Sequence, residues 1–424
     1  MIFEAGWPRS GTAGILLRAV PTLIKTTHHY CVVQQRNVGL MRIRSKSMLI
    51  RNARVVTRDE EFTGTLRIED GVIRDVERGS TSAREAVDWD GDYLLPGLIE
   101  LHTDNLEKHL APRPGVRWNI DAAFVIHDAQ VAAAGITTVF DSLRIGARSD
   151  VDMHNRDLQT QCTQALARLS QSQLLRAEHF LHLRCEIAAP DVVEVFDSLY
   201  AHPLLRLASV MDHTPGQRQW QDAGQWRRWQ ERHGKLTDEH FAAVVAELAD
   251  GQERYADRHR REIVARCAAL GIPVASHDDT VIEHVEQAAA EGVALAEFPT
   301  TLVAAQAARE HGIATIMGAP NIVRGGSHSG NVSALELAQA GLLDILSSDY
   351  VPSSLLTAAF ELVDKAGWTL PRAMTAVSAE PARAVGLHDR GAIVPGLRAD
   401  FVRVRMHEAL PVPRETWRAG ERVV

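Results

Sequence analysis

The sequence predicts an α/β protein, a (β/α)8 TIM-like barrel with β segments from both chain ends beside it. Three observations carry that reading. Eight apolar runs of strand length alternate with helical stretches through the middle of the chain, both ends show the turn-punctuated alternation of short antiparallel strands, and ligand-type side chains recur where the apolar runs end. Strand and helix in alternation are the pattern of a parallel sheet made from βα units, and eight such units close most naturally into a barrel.

Size and composition permit this. The chain has 424 residues, 45% of them hydrophobic and 24% charged, enough to bury a large core without disulfides. Lys and Arg total 46 against 54 Asp and Glu, a net charge of -8, so no global basic field exists to grip nucleic acid. Cys31, Cys162, Cys185 and Cys267 are far apart and form no C-x-x-C pair, so neither a zinc ribbon nor a disulfide framework is suggested and a reducing cytoplasm fits. The apolar run 13–24 is broken by Arg18 and Pro21 and is too short to span a membrane. Residues 1–47 read as a non-native or disordered extension, with Met41 or Met48 as the expected start.

From Met48 the chain reads MLIRNARVVT and then TLRIEDGVIRDVE, where Asp70-Gly71 between alternating segments signals a β-hairpin. The strand-length runs follow: LLPGLIELHTD, ITTVFDS, HFLHLRCEI, LRLASVMDH, IPVASHDD, VALAEFPTT, IATIMGAPN and LDILSSDY. After the fourth run, residues 215–251 form a polar insertion carrying Arg218, Arg227, Arg228 and Arg232 among three Trp residues. Such a composition can mark nucleic-acid binding, but in an acidic protein an amphipathic helical hairpin serving as a lid or partner surface is the better expectation. At the far end GAIVPGLRADFVRV is strand-like again around a Pro-Gly turn.

His102 and Asp104 end the first run, Glu186 the third, His213 the fourth, His277 the fifth and Asp349 the eighth. In a barrel the carboxyl ends of the strands carry the active site, and residues two apart on a strand face the same way. Six nitrogen and oxygen ligands there suffice for two divalent ions, and the mixed donor set suits Zn, Mn, Fe, Co or Ni. Singly, His213 or His277 could be a core histidine, Glu186 an ion-pair partner of Arg184, and Asp349 a turn cap among Ser347, Ser348 and Ser353; their recurrence at strand ends favours ligation. Asp349 is also the expected catalytic base, since a carboxylate beside a metal can take the proton of an attacking water.

The stretch RGGSHSGN, from Arg324 through Gly325, Gly326, Ser327 and His328 to Asn331, precedes a helix in which Ser333 and Glu336 have capping-box spacing. Adjacent glycines allow close backbone approach and a helix N-terminus favours an anion, so the expectation is a phosphate-binding loop. Lys108, His109, Arg113 and Arg117, just past the first strand, are further candidates for neutralising a polyphosphate, or are plain solvated surface.

PGLIELHTD resembles the start of the active site in the amidohydrolase superfamily, whose members join a metal-bearing barrel to a small β-sandwich made from both chain ends. The match assigns 48–93 and 389–424 to the sandwich, with Ala399 and Asp400 in its Gly-x-x-Ala-Asp element, and 94–388 to the barrel. More narrowly, HTDNLEKH, ASHDD, EFPTT, GAPN, GSHSGN and SSDYVPSSLL resemble the PhnM family of the carbon-phosphorus lyase pathway. That resemblance implies hydrolysis of a phosphorylated sugar phosphonate, α-D-ribose 1-methylphosphonate 5-triphosphate, to the 5-phosphate and diphosphate. Most of the superfamily has His-x-His where this chain has His102-x-Asp104, and a bridging lysine for which Glu186 is the natural substitute. The competing readings are a C–N hydrolase, deacetylase or deaminase, on the same scaffold, and a barrel that has lost its metals and serves in assembly. A homo-oligomer is compatible with either.

Overall fold

Two-residue periodicity and Asp70-Gly71 fold the first strands, β1 (Ser47–Val56), β2 (Glu61–Glu69) and β3 (Val72–Arg78), into an antiparallel meander. The turn needs left-handed backbone at both positions, φ 51° at Asp70 and 78° at Gly71. A Cβ on Gly71 would meet the Ala419 carbonyl oxygen at 2.6 Å, so only glycine fits. The computed structural model describes residues 47–147, 150–231, 237–327 and 330–424, and the extension expected at the N-terminus lies, up to residue 46, outside them.

β4 (Val87–Asp88) and β5 (Tyr93–Pro96) lie parallel to β1. At Gly97 the chain turns into the barrel so tightly that a Cβ would stand 2.4 Å from Thr137 Oγ1. All eight apolar runs become parallel strands in consecutive order: β6 (Leu98–Thr103), β7 (Ile136–Ile145), β8 (Glu178–Glu186), β9 (Leu205–Met211), β10 (Val274–His277), β11 (Leu295–Glu297), β12 (Ala314–Gly318) and β13 (Ile345–Ser347). Closure runs through a parallel bridge between Thr103 and Asp349. Buried Glu100 strengthens it, accepting from Ser347 Oγ at 2.7 Å and from the His102 amide at 2.6 Å. Burial raises that carboxyl to about 7.

One apolar side chain from every barrel strand joins a single buried cluster: Ile99, Phe140, Phe180, Leu207, Ala275, Leu295, Ile316 and Ile345. It is the filled interior of a barrel rather than a pore, and each larger member contributes about 2 kcal/mol relative to exposure. After the barrel, β14 (Phe401–His407) pairs antiparallel with β5, followed by β15 (Leu410–Arg418) and β16 (Glu421–Arg422). The β unit expected from both ends is thus one continuous eight-stranded sheet, and Ile50, Leu66, Ile73, Trp89, Leu94 and Phe401 pack in a core of its own.

Between β9 and β10 the insertion contains a 3-10 turn (Arg218–Trp220), a helix (Ala223–Gln230) and a 33-residue helix (Asp238–Leu270) capped by Thr237 and by left-handed Gly271. Trp226 packs on Phe241 across the two helices, while Arg227 lies over the Phe241 ring and pairs with Glu231 and Asp238. Arg218 is buried instead, ion-paired with Asp279 and donating to the His277 carbonyl at 3.1 Å, so the insertion is clamped to the end of β10. Arg232 lies outside the described residues.

Candidate metal centre

Counting in twos from the apolar layer reaches the site. Ala275 leads to His277, Leu295 to Glu297, Ile345 through Ser347 to Asp349, Leu207 through Ser209 and Met211 to His213, and Phe180 through His182 and Arg184 to Glu186. On β6 the ladder shifts between Glu100 and Thr103, and His102 and Asp104 face the cleft. The cleft is open and measures about 850 Å³ including solvent at its mouth. Three residues just past strand ends, Asp278, Phe298 and Asp349, have left-handed φ of 58°, 55° and 53°. Such strain in non-glycine residues, about 1 kcal/mol or more each, gathers at functional sites.

Each imidazole is held from behind by a carboxylate. Fully buried Glu297 accepts from His102 Nδ1 at 2.6 Å and from His277 Nδ1 at 2.7 Å. Glu186, equally buried, accepts from His213 Nδ1 at 2.8 Å and from the His213 amide at 3.1 Å. Oxygens that close on the ring-nitrogen axis leave no room for an ion there. They fix the proton on Nδ1 and turn the Nε2 lone pair toward the cleft, the usual support for a metal-binding histidine. His182 forms the floor beneath, its ring centroid 5.3 Å from that of His102, with Nδ1 2.9 Å from the Leu101 carbonyl and Nε2 3.0 Å from Ser209 Oγ. Burial lowers it to about 3, so it stays neutral.

Two trios of donors converge on the Nε2 side, His102 with Asp104 and Asp349, and His213 with His277 and Asp278; within each, one ligand atom per residue lies within 4.8 Å of the others. His102 Nε2 is 3.9 Å from Asp104 Oδ1. The donors are imidazole nitrogen and carboxylate oxygen, which fits a borderline divalent ion. Cys162, Cys185 and Cys267 are buried thiols, with burial pushing Cys162 and Cys267 up to about 12.

The structure therefore brings His102, Asp104, His213, His277 and Asp349 together on the cleft wall, and sets Glu186 one layer behind, against His213. Arg184 does not pair with Glu186. It donates to Asp104 Oδ1 at 2.6 Å and lines the cleft as a mostly buried cation. Of the expected substrate residues, Arg324, Gly326, Ser327 and Asn331 line the cleft, whereas Lys108, His109, Arg113, Arg117 and Gly325 do not. Lys108 donates to the Tyr350 carbonyl, His109 bonds Gln130 at 3.0 Å, and Arg113 and Arg117 are exposed. His328 lies outside the described residues. The capping box at Ser333 and Glu336 is present, but its helix (Ala334–Gln339) has six residues and its early amides are taken, Ala334 N by Asn321 and Glu336 N by Ser333. An anion in the cleft would meet the loop, not a free helix end. Sequence reasoning missed Glu297, Asp278 and the cleft-facing role of Arg184; Glu297, at the end of the sixth run, carried the same positional signal as His277.

The chain is 44% identical over 378 residues to the α-D-ribose 1-methylphosphonate 5-triphosphate diphosphatase of Escherichia coli strain K12, spanning 89% of this chain and all of that protein. No family model matches. Among solved structures, N-acetyl-D-glucosamine-6-phosphate deacetylase from Mycobacterium smegmatis superposes with a TM-score of 0.57 at 19% identity, over 89% of this chain and 100% of that one. A D-hydantoinase does so at 0.51 and 16%, over 89% and 95%. The solved structures speak for the fold alone, a barrel with a sheet built from the chain ends; the full-length likeness to the E. coli protein says more, that this chain belongs to the α-D-ribose 1-methylphosphonate 5-triphosphate diphosphatase family.

Proposed function

We infer that the protein is a metal-dependent phosphoanhydride hydrolase that converts α-D-ribose 1-methylphosphonate 5-triphosphate to the 5-phosphate and diphosphate. The observation that carries this reading is the whole-length match to the E. coli diphosphatase, in a chain whose strand ends converge imidazole and carboxylate donors on one cleft. Divalent ions bound there would polarise a water and a phosphoryl oxygen.

The chain's own residues do the rest. Glu297 and Glu186 hold the three imidazoles in one tautomer. Asp349, carried on the strained turn that closes the barrel, would take the proton from the attacking water at its carboxylate. Arg184 and Arg324 supply fixed positive charge for the triphosphate, and Gly326, Ser327 and Asn331 offer hydrogen-bonding groups on the same wall. We assign the chemistry to 94–388, with 48–93 and 389–424 as the supporting sheet and the 215–251 insertion as a partial cover. The unpaired thiols of Cys162, Cys185 and Cys267 fit a cytoplasmic setting, and no helix among the described residues is long and apolar enough to cross a membrane.

The test is diphosphate release from the ribose methylphosphonate triphosphate, from ATP and from an N-acetylated amino-sugar phosphate as control, before and after chelation. Diphosphate from the first substrate, lost on chelation and restored by added metal, is expected. Acetate from the amino sugar with no diphosphate from either triphosphate would overturn the reading in favour of C–N hydrolysis.

A further inference from the structure

Asp278 follows His277 directly, and in a regular strand neighbours point to opposite faces. The backbone breaks that alternation, because Asp278 takes φ 58° and its side chain swings back beside His277. Its Oδ2 ends 3.4 Å from His277 Nε2 and 3.7 Å from His213 Nε2. Both distances are too long for a good hydrogen bond, and this oxygen, on a side chain only 6% exposed, has no hydrogen-bond partner. Neither nearby arginine donates to this oxygen: Arg218 pairs with Asp279 and Arg184 with Asp104.

A buried carboxylate oxygen without a donor is costly unless something positive belongs beside it. The spacing says what that is. Ligands about 2.0–2.1 Å from a tetrahedral ion stand about 3.4 Å from one another; the gap to His277 matches that spacing, and the 3.7 Å gap to His213 is slightly longer. The two facing nitrogens are the lone-pair sides of their rings, since Glu297 and Glu186 occupy the Nδ1 positions.

We propose that Asp278 is a metal ligand, forming with His213 and His277 a second divalent-ion position beside that of His102, Asp104 and Asp349. Glu186 is then an orienting residue and not a bridge. This inference rests on the metal-dependent reading above, yet its test is metal binding and needs no turnover.

Protein stripped with a chelator and titrated with Co(II), followed by visible absorbance and calorimetry, is expected to take two equivalents. Asp278→Asn keeps one tight equivalent and weakens the other at least about tenfold, as loss of a charged ligand requires. Asn tolerates left-handed backbone, so that variant is expected to fold; if circular dichroism shows otherwise, Asp278→Glu replaces it, with the same expectation. His102→Ala should lose the other equivalent and keep this one. Two equivalents at wild-type affinity in either Asp278 variant, or a single equivalent in the wild type, overturns the proposal. Two equivalents in the wild type and one in the variant, without triphosphate hydrolysis, would uphold it while sinking the diphosphatase reading.

Discussion

Replacing Glu297 by Gln preserves the size of the side chain and changes one atom. The native carboxylate accepts from His102 Nδ1 at 2.6 Å and from His277 Nδ1 at 2.7 Å. An amide has one oxygen and one NH2 group, so its NH2 must face one of two N–H donors. That ring is driven to the other tautomer, its proton moves to Nε2, and the lone pair facing the cleft is lost. The bonds at stake are charge-assisted, about 1.5–3 kcal/mol each. Losing one lowers metal affinity by about 10–100-fold, or about 1.4–2.7 kcal/mol. Competition with a chromophoric chelator measures this directly, and turnover at saturating metal should recover much of the wild-type rate. Affinity within twofold of wild type in Glu297→Gln would refute the claim that Glu297 sets the tautomers.

Asp349→Asn should keep its fold, because the turn is held by backbone bonds to His102 and Asp104, and much of its metal, bound more weakly for the lost carboxylate, while the rate at saturating metal falls by about two to four orders of magnitude; near wild-type turnover would remove Asp349 from proton transfer. A second group, remote from the cleft, predicts a pH dependence of stability. His179 is fully buried between Asp141 and Asp128; burial opposes its charge, but the Asp141 carboxylate and the bonds to both aspartates hold it up at about 9. A folded pKa above the unfolded value means the stabilisation is complete below about pH 6.5 and is lost as pH rises through about 9. Urea unfolding should show a decline on the order of 1–3 kcal/mol across that window, flattened in His179→Gln; equal slopes in the two proteins would contradict it.

Barrel and strand ends were legible because burial enforces pattern: each apolar run had to fill the interior, and counting in twos from it reaches His213, His277 and Asp349. Glu297 obeyed the same rule and was passed over because a glutamate draws less notice than a histidine, though it organises both. Asp278 was invisible for a physical reason, since alternation points it away from His277 and only a left-handed φ brings it back. Arg184 chose Asp104, 80 residues away, over Glu186 on its own strand, a choice decided by which faces meet across the barrel. The reading of the Gly-rich loop as a helix-end anion site did not foresee that Asn321 and Ser333 would take the amides. Lys108 lay one residue type from a phosphate ligand and instead bonds the Tyr350 carbonyl.

The central claim is that water attacks the α-phosphorus at the strand ends while Arg184, Arg324, Gly326, Ser327 and Asn331 hold the departing phosphates. Hydrolysis of the ribose methylphosphonate triphosphate in ¹⁸O water, with products resolved by mass spectrometry, tests it directly. The account predicts label in the ribose 5-phosphate product and unlabelled diphosphate. Label in diphosphate, or orthophosphate as the first product, would contradict it.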